Sequence, residues 1–141
     1  MMQSDDTLAR RIADIVPRIM HRTSAQLRQL DETIASIHLR VLALLRRGSL
    51  TVGELAEMNS VSAPSMSNTV TTLVKRGWIG RMREVEDRRR VRLELTIEGE
   101  AVLEEIQDLV SSHISEAIAN LSEQERKQLS AGLDILYQVY G

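Results

Sequence analysis

VSAPSMSNTVTTLVKRGWIGRMREVEDRRRVRLELT, residues 61–96, changes its period half-way along. The first half repeats as a helix does. At ~100° per residue, Met66, Val70, Leu73 and Val74 fall on one side. Pro64, Ser65, Asn68, Thr71, Thr72 and Lys75 fall on the other. Ser62 is a candidate N-cap, Pro64 is tolerated in the first turn where no donor is needed, and Gly77 closes the pattern. After Gly77 the alternation is of period two. Ile79, Arg81 and Arg83 alternate with Gly80, Met82 and Glu84, and Val91, Leu93 and Leu95 alternate with Arg92 and Glu94. Two such runs around the polar loop EVEDRRR predict a β-hairpin.

The polar face of the helix carries neither an acid nor a large apolar side chain. Its short donors and acceptors suit base edges in a DNA major groove: Asn can bond adenine bidentately, Ser and Thr can bond several bases, and a methyl can touch thymine. A solvated surface helix gives the same pattern, so the neighbouring segments decide. Arg88, Arg89 and Arg90 at the hairpin tip are costly to crowd together unless something negative neutralises them. A minor groove is narrow, strongly negative and admits an Arg side chain. The competing reading is a solvated charged turn.

Upstream, residues 37–47 form a second helical pattern (Leu39, Val41, Leu42, Leu45) closed by Gly48. Thr51 and Glu54 make a capping box for a short helix over residues 52–58, and Asn59-Ser60 make the turn into Ser62. Two short helices, a tight turn and a polar-faced helix are the order of a helix-turn-helix, though also of a generic helical hairpin. Residues 7–30 predict a long helix striped by Leu8, Ile12, Ile15, Val16, Ile19, Thr23, Leu27 and Leu30, with a kink at Pro17 or a break near Val16. Residues 96–121 predict another, with Thr96 as N-cap and Val102, Leu103, Ile106, Leu109, Val110, Ile114, Ala117, Ile118 and Leu121 apolar. A second capping box, Ser122 to Glu125, opens a last helix over residues 123–140 with Leu129, Leu133, Leu136 and Tyr140 in register. These three stripes exceed what so small a domain can bury alone, and pairing two chains would cover them.

The chain has 141 residues, enough for one domain with a real core. It has no cysteine, which removes disulfides, thiol switches and Cys-ligated zinc and fits a reducing cytoplasm. The start, MMQSDDTLARR, lacks the apolar run of a signal peptide, and no stretch reaches the ~18 apolar residues of a membrane span. Only Trp78, Tyr137 and Tyr140 are aromatic, which argues against stacking platforms for unpaired bases but not against a duplex reader. Net charge is −2, yet Lys75 to Arg92 holds eight bases against three acids, and Glu98 to Glu125 holds eight acids with no Lys or Arg. One end can meet phosphates while the other repels them.

The assembled pattern resembles the MarR family of winged helix-turn-helix repressors. The residues that carry the resemblance are Thr51-x-x-Glu54-Leu55-Ala56, Leu73-Val74-Lys75-Arg76-Gly77-Trp78-Ile79, Asp87-Arg88-Arg89 and Leu93-x-Leu95-Thr96-x-x-Gly99. The family's wing signature is an Asp, an Arg two residues on, then a Leu-Thr pair and a Gly; Asp87, Arg89, Leu95, Thr96 and Gly99 satisfy it. The resemblance implies a mainly α chain with a small β-hairpin wing, a winged helix-turn-helix with flanking dimerisation helices. Its parts are an N-terminal dimerisation helix (residues 1–35), a DNA-binding region (36–96) and C-terminal dimerisation helices (97–141), expected to form one compact domain. It implies a homodimer on double-stranded DNA, with Ser65, Asn68 and Thr72 in the major groove, Arg89 in the minor groove and Asp87 bracing it. Ser62, Pro64, Thr71, Arg88 and Arg90 complete the expected DNA-binding set, with Lys75, Arg81 and Arg83 as phosphate contacts.

Many members release DNA on binding a small aromatic or phenolic acid, and the candidate lining residues here are Arg18, His21, Arg22, His38 and Trp78. Each of these has the competing reading of a satisfied surface side chain. His21, His38 and His113 lack metal-ligand spacing, so neither metal nor cofactor is expected. No phosphate-cradling loop or nucleophile motif points to an enzyme. The remaining alternative is a helical dimeric scaffold that binds only proteins.

Overall fold

The computed structural model describes residues 2–31, 33–87 and 89–141, without the side chain of Leu30. Its elements run α1 (Asp5–Leu30), α2 (Ser36–Arg47), α3 (Val52–Met58), α4 (Ala63–Lys75), β1 (Ile79–Arg83), β2 (Val91–Leu95), α5 (Ile97–Ala117) and α6 (Glu123–Tyr140). The chain forms two compact units, one ending at Asp108 and one spanning Leu109–Gly141. The fold is mostly helical with a two-stranded antiparallel hairpin, as the periodicities predict. No described helix is long and apolar enough to cross a membrane.

Local chemistry sets most boundaries. The Thr51 hydroxyl accepts from Glu54 N–H and the Glu54 carboxylate accepts from Thr51 N–H, so the short α3 starts where its capping box says. Ser122 and Glu125 repeat the device at α6. At the other end of α4, Gly77 N–H bonds the Val74 carbonyl and Trp78 N–H bonds the Leu73 carbonyl. This double closure needs a left-handed residue, and Gly77 has φ +78°.

Three expectations are corrected. Helix α1 runs through Pro17 without the break near Val16, because the ring removes one backbone bond from a helix of 26 residues and the remaining ladder carries across it. It also starts at Asp5, since Ser4 accepts from Thr7 N–H and caps it early. Helix α5 stops at Ala117 rather than reaching Leu121. There the Arg126 guanidinium donates to the carbonyls of Ile118, Ala119 and Leu121, which the helix no longer satisfies.

The core of the first unit lies beneath the hairpin. Val41, Leu42 and Leu45 of α2, Leu55 and Ala56 of α3, Met66, Val70 and Leu73 of α4, Ile79, Leu93 and Leu103 form one buried cluster. In the hairpin Ile79 pairs with Leu95, Arg81 with Leu93 and Arg83 with Val91. Leu50, in the link between α2 and α3, exchanges backbone bonds with Leu93 at 2.8 and 3.2 Å, so the wing is pinned to the helical body.

On α1 and α6 much of the apolar stripe stays open. On α1, Leu8, Ile15, Val16 and Ile19 are exposed, although Leu27 is buried. Helix α6 buries nothing: Leu129, Leu133, Ile135 and Val139 all face solvent.

The first turn of α5 packs closely on the end of α4. Thr96 N–H bonds the Trp78 carbonyl, the Thr96 hydroxyl donates to the Gly77 carbonyl at 2.6 Å, and Gly99 N–H donates to the same hydroxyl at 3.0 Å. A Cβ on Gly99 would fall well inside van der Waals distance of the Trp78 carbonyl oxygen. Gly99→Ala should therefore lower stability by roughly 1–3 kcal/mol through overpacking, read as a drop in the urea midpoint at constant slope.

Candidate nucleic-acid interface

Helix α4 is built as an inside and an outside. Met66, Val70 and Leu73 are buried, with Val74 half-buried beside them. Ser62, Pro64, Ser65, Asn68, Thr72 and Lys75 are exposed and Thr71 is partly so. Ser62 is the N-cap, its hydroxyl accepting from Ser65 N–H at 3.2 Å. The outward side therefore shows only short polar groups, one proline ring and, at its far end, an ammonium. Before it, α3 ends in a tight turn with Ser60 at φ +53°, giving the helix-turn-helix order expected from sequence.

The wing presents Arg81, Arg83, Arg89 and Arg90 as exposed side chains. Arg88 lies outside the described residues. Asp87 shapes the tip through the backbone: its carboxylate accepts from Arg89 N–H and its carbonyl from Arg90 N–H, both at 3.0 Å. Such an Asx turn fixes the local chain path and hence the point from which Arg89 projects.

Among the described bases between Lys75 and Arg92, Arg92 and Arg76 are tied into the body of the unit. Arg92 donates to the Ser49 hydroxyl (2.9 Å), the Ser49 carbonyl (2.6 Å) and the Glu84 carboxylate (3.1 Å). It is a strut between the wing and the link before α3, a role that sequence did not assign; the one signal was its place opposite Met82, on the other parity from Arg81 and Arg83. Arg76 pairs with Asp31 at 3.0 Å, bonds the Thr33 hydroxyl and stacks 4.8 Å over the Trp78 ring. That cluster fastens the end of α4 to the link between α1 and α2.

The five candidate ligand residues do not form one set. Arg18, His21 and Arg22 line a hollow of about 540 Å³ together with Ile15, Pro17 and Ile19, all on α1. His38 and Trp78 are not among its walls. His38 turns back on its own helix, its Nδ1 accepting from Ala35 N–H at 3.0 Å, and Trp78 lies under Arg76. Spacing on one helix gathers the first three; capping and stacking hold the other two elsewhere.

A family model for MarR matches residues 37–91, from α2 to the start of β2. The HTH-type transcriptional repressor YetL of Bacillus subtilis is 31% identical over 85 residues, covering 60% of this chain and 51% of its own. The chain spans about half the length of the curated relatives it matches. Over nearly its whole length it matches the crystal structure of a cysteine-to-serine mutant of MarR from E. coli, with a TM-score of 0.80 and 26% identity over 97% of this chain and 98% of that one. Residues 37–91 are a MarR-family segment, and the chain as a whole shares the fold of MarR. A point mutant of MepR from S. aureus, solved bound to an oligodeoxyribonucleotide, shares the fold at a TM-score of 0.67 and 23% identity over 99% of this chain and 100% of that one.

The strap around Arg76 makes the stability of the chain sensitive to acid. The Thr33 hydroxyl and backbone N–H, then Arg76, hold the Asp31 carboxyl at about 2, below its ordinary 3.8. Burial, with the Arg76 charge nearby, lowers the pKa of His38 from 6.5 against the opposing pull of Asp31. In both cases the folded state binds protons less readily than the unfolded one, so stability rises with pH. His38's share should be complete above pH 6.5 and fall away below it. Asp31's share should be complete above pH 3.8 and be lost as pH falls towards about 2. Urea titrations across pH should show both steps, with His38→Gln removing the upper and Asp31→Asn reducing the lower, to which Glu125, held below its ordinary value by Ser122, also contributes.

Proposed function

We propose that the chain is a sequence-specific regulator of transcription that binds double-stranded DNA as a homodimer. The observation that carries this reading is the pairing, within one pinned body, of an α4 face made of short polar groups with a wing whose tip arginines stand in solvent. Helix α4 enters the major groove, Ser65, Asn68 and Thr72 meet base edges, and Arg89 enters the flanking minor groove. Lys75, Arg81 and Arg83 position the body on phosphates. The oligonucleotide-bound MepR mutant and the repressor YetL support the DNA-binding assignment by likeness.

The open stripes on α1 and α6 support an assembly of two copies. Two-fold symmetry then calls for a pseudo-palindromic operator with half-sites roughly 34–36 Å apart. The reading extends to repression relieved by a small aromatic or phenolic acid. The hollow on α1 supports this, because Arg18, His21 and Arg22 can meet a carboxylate while Ile15, Pro17 and Ile19 meet a ring.

Selection of bound duplexes from a random pool, followed by anisotropy titration over salt, tests the DNA assignment. Arg89→Ala should weaken every duplex and reduce the salt slope by about one per half-site. Asn68→Ala should cost about 1–3 kcal/mol on the best duplex and relax one base position. An unchanged slope for Arg89→Ala would remove the wing from the mechanism. Repeating the titration with a panel of aromatic acids tests the effector, and no weakening by any of them counts against it.

The dimer is tested by analytical ultracentrifugation. The wild type should sediment as two copies, and Leu133→Glu, which places a charge on the open face of α6, should shift it to one. A monomeric wild type would overturn the assembly.

A further inference from the structure

Helix α4 carries three threonines whose hydroxyl protons are already committed. Thr69, Thr71 and Thr72 donate through Oγ1 to the carbonyls of Ser65, Ser67 and Asn68, at 3.2, 2.9 and 3.2 Å. A threonine hydroxyl has one proton and two lone pairs. Once that proton is turned back on the helix, none is left for the O6 and N7 of guanine, the N7 of adenine or the O4 of thymine. The other substituent on the same carbon is a methyl, and a β-branched side chain bound through its oxygen holds that methyl in one place.

Thr72 is the exposed member of the three, one helical turn beyond Asn68 and on the same face as Ser65. No arginine, the commonest reader of guanine, stands on that face; Lys75 at its far end is the only cation there. Asn68 offers a carboxamide that matches the N6 and N7 of adenine. The one apolar feature that a base pair shows in the major groove is the 5-methyl group of thymine.

We propose that Thr72 selects thymine by methyl-to-methyl contact rather than by its hydroxyl, so that α4 is a reader of A·T pairs at the register of Asn68 and Thr72. This rests on the assignment of α4 to the major groove, and deepens it by naming the base and the atom that reads it.

The probes are the full chain and a duplex enriched from a random pool, with copies in which each thymine in turn is replaced by deoxyuridine, which lacks only the methyl. One thymine in each half-site should be sensitive, its loss weakening binding about fourfold, the effect of one buried methyl group. Thr72→Val keeps the methyl and removes the hydroxyl, and should keep the wild type's preference for thymine over uracil at that position. Thr72→Ser keeps the hydroxyl and removes the methyl in both protomers; it should lose that factor at each half-site, about sixteenfold for the dimer, and no longer distinguish uracil from thymine at that position. Circular dichroism and the urea midpoint confirm that both variants fold.

If Thr72→Ser keeps full discrimination while Thr72→Val loses it, the hydroxyl is the reader and the proposal is overturned. If no uracil copy differs from the parent duplex while Asn68→Ala abolishes the preference, α4 still reads DNA and the thymine contact alone falls. If the wild type binds the enriched and a scrambled duplex alike, sequence reading fails altogether and the thymine contact with it.

Discussion

Thr96 stands where the end of α4, the base of the hairpin and the first turn of α5 converge. Its hydroxyl donates to the Gly77 carbonyl while accepting the Gly99 N–H, and its own N–H meets the Trp78 carbonyl. One side chain thus joins three elements at a point where only a residue without Cβ can stand behind it, since a carbon at Gly99 would collide with that same Trp78 carbonyl. The register that begins at Ile79 and Leu95 follows from this junction. So does the direction in which the wing leaves the body. The Leu-Thr-x-x-Gly part of the family signature is therefore a packing requirement, while its Asp-x-Arg part sets the turn at the tip.

Much of this was legible in sequence wherever the governing rule is local. The limits of α3 and α6 were readable from two capping boxes, because the partners lie three positions apart. The buried side of α4 was readable from its period, and the hairpin from its alternation. What escaped reading is non-local. The Leu50 bridge and the Arg92 strut each join residues 43 positions apart, and the Arg76 strap joins residues 45 apart. Nothing in the spacing of Ser49 or Asp31 announces an arginine from the other end of the unit. The early end of α5 has a similar origin, for Arg126 lies beyond the stripe from which the helix was read.

The charge pattern shows the same division. A window holding eight bases and three acids suggests an undifferentiated basic face. The fold sorts them. Arg76 and Arg92 are spent on internal carboxylates and become structural, whereas Arg81, Arg89 and Arg90 have side chains in solvent. Sequence could count cations but could not tell which serve as struts, because that depends on which acids folding brings alongside. The candidate effector residues divide in the same way: spacing on α1 groups Arg18, His21 and Arg22, and only the folded chain separates His38 and Trp78 from them.

Helix α6 has no buried side chain along its 18 residues. A helix of that length has little intrinsic stability in water, so most of its order must come from whatever covers its apolar side. If that cover is a second copy, the amount of protein in the cell becomes a thermodynamic variable of the fold itself. Newly made chains at low abundance would then pass through a stage with sticky, unshielded helix, open to proteases and chaperones. Expression level and turnover would be coupled through that segment, independently of anything happening at the wing.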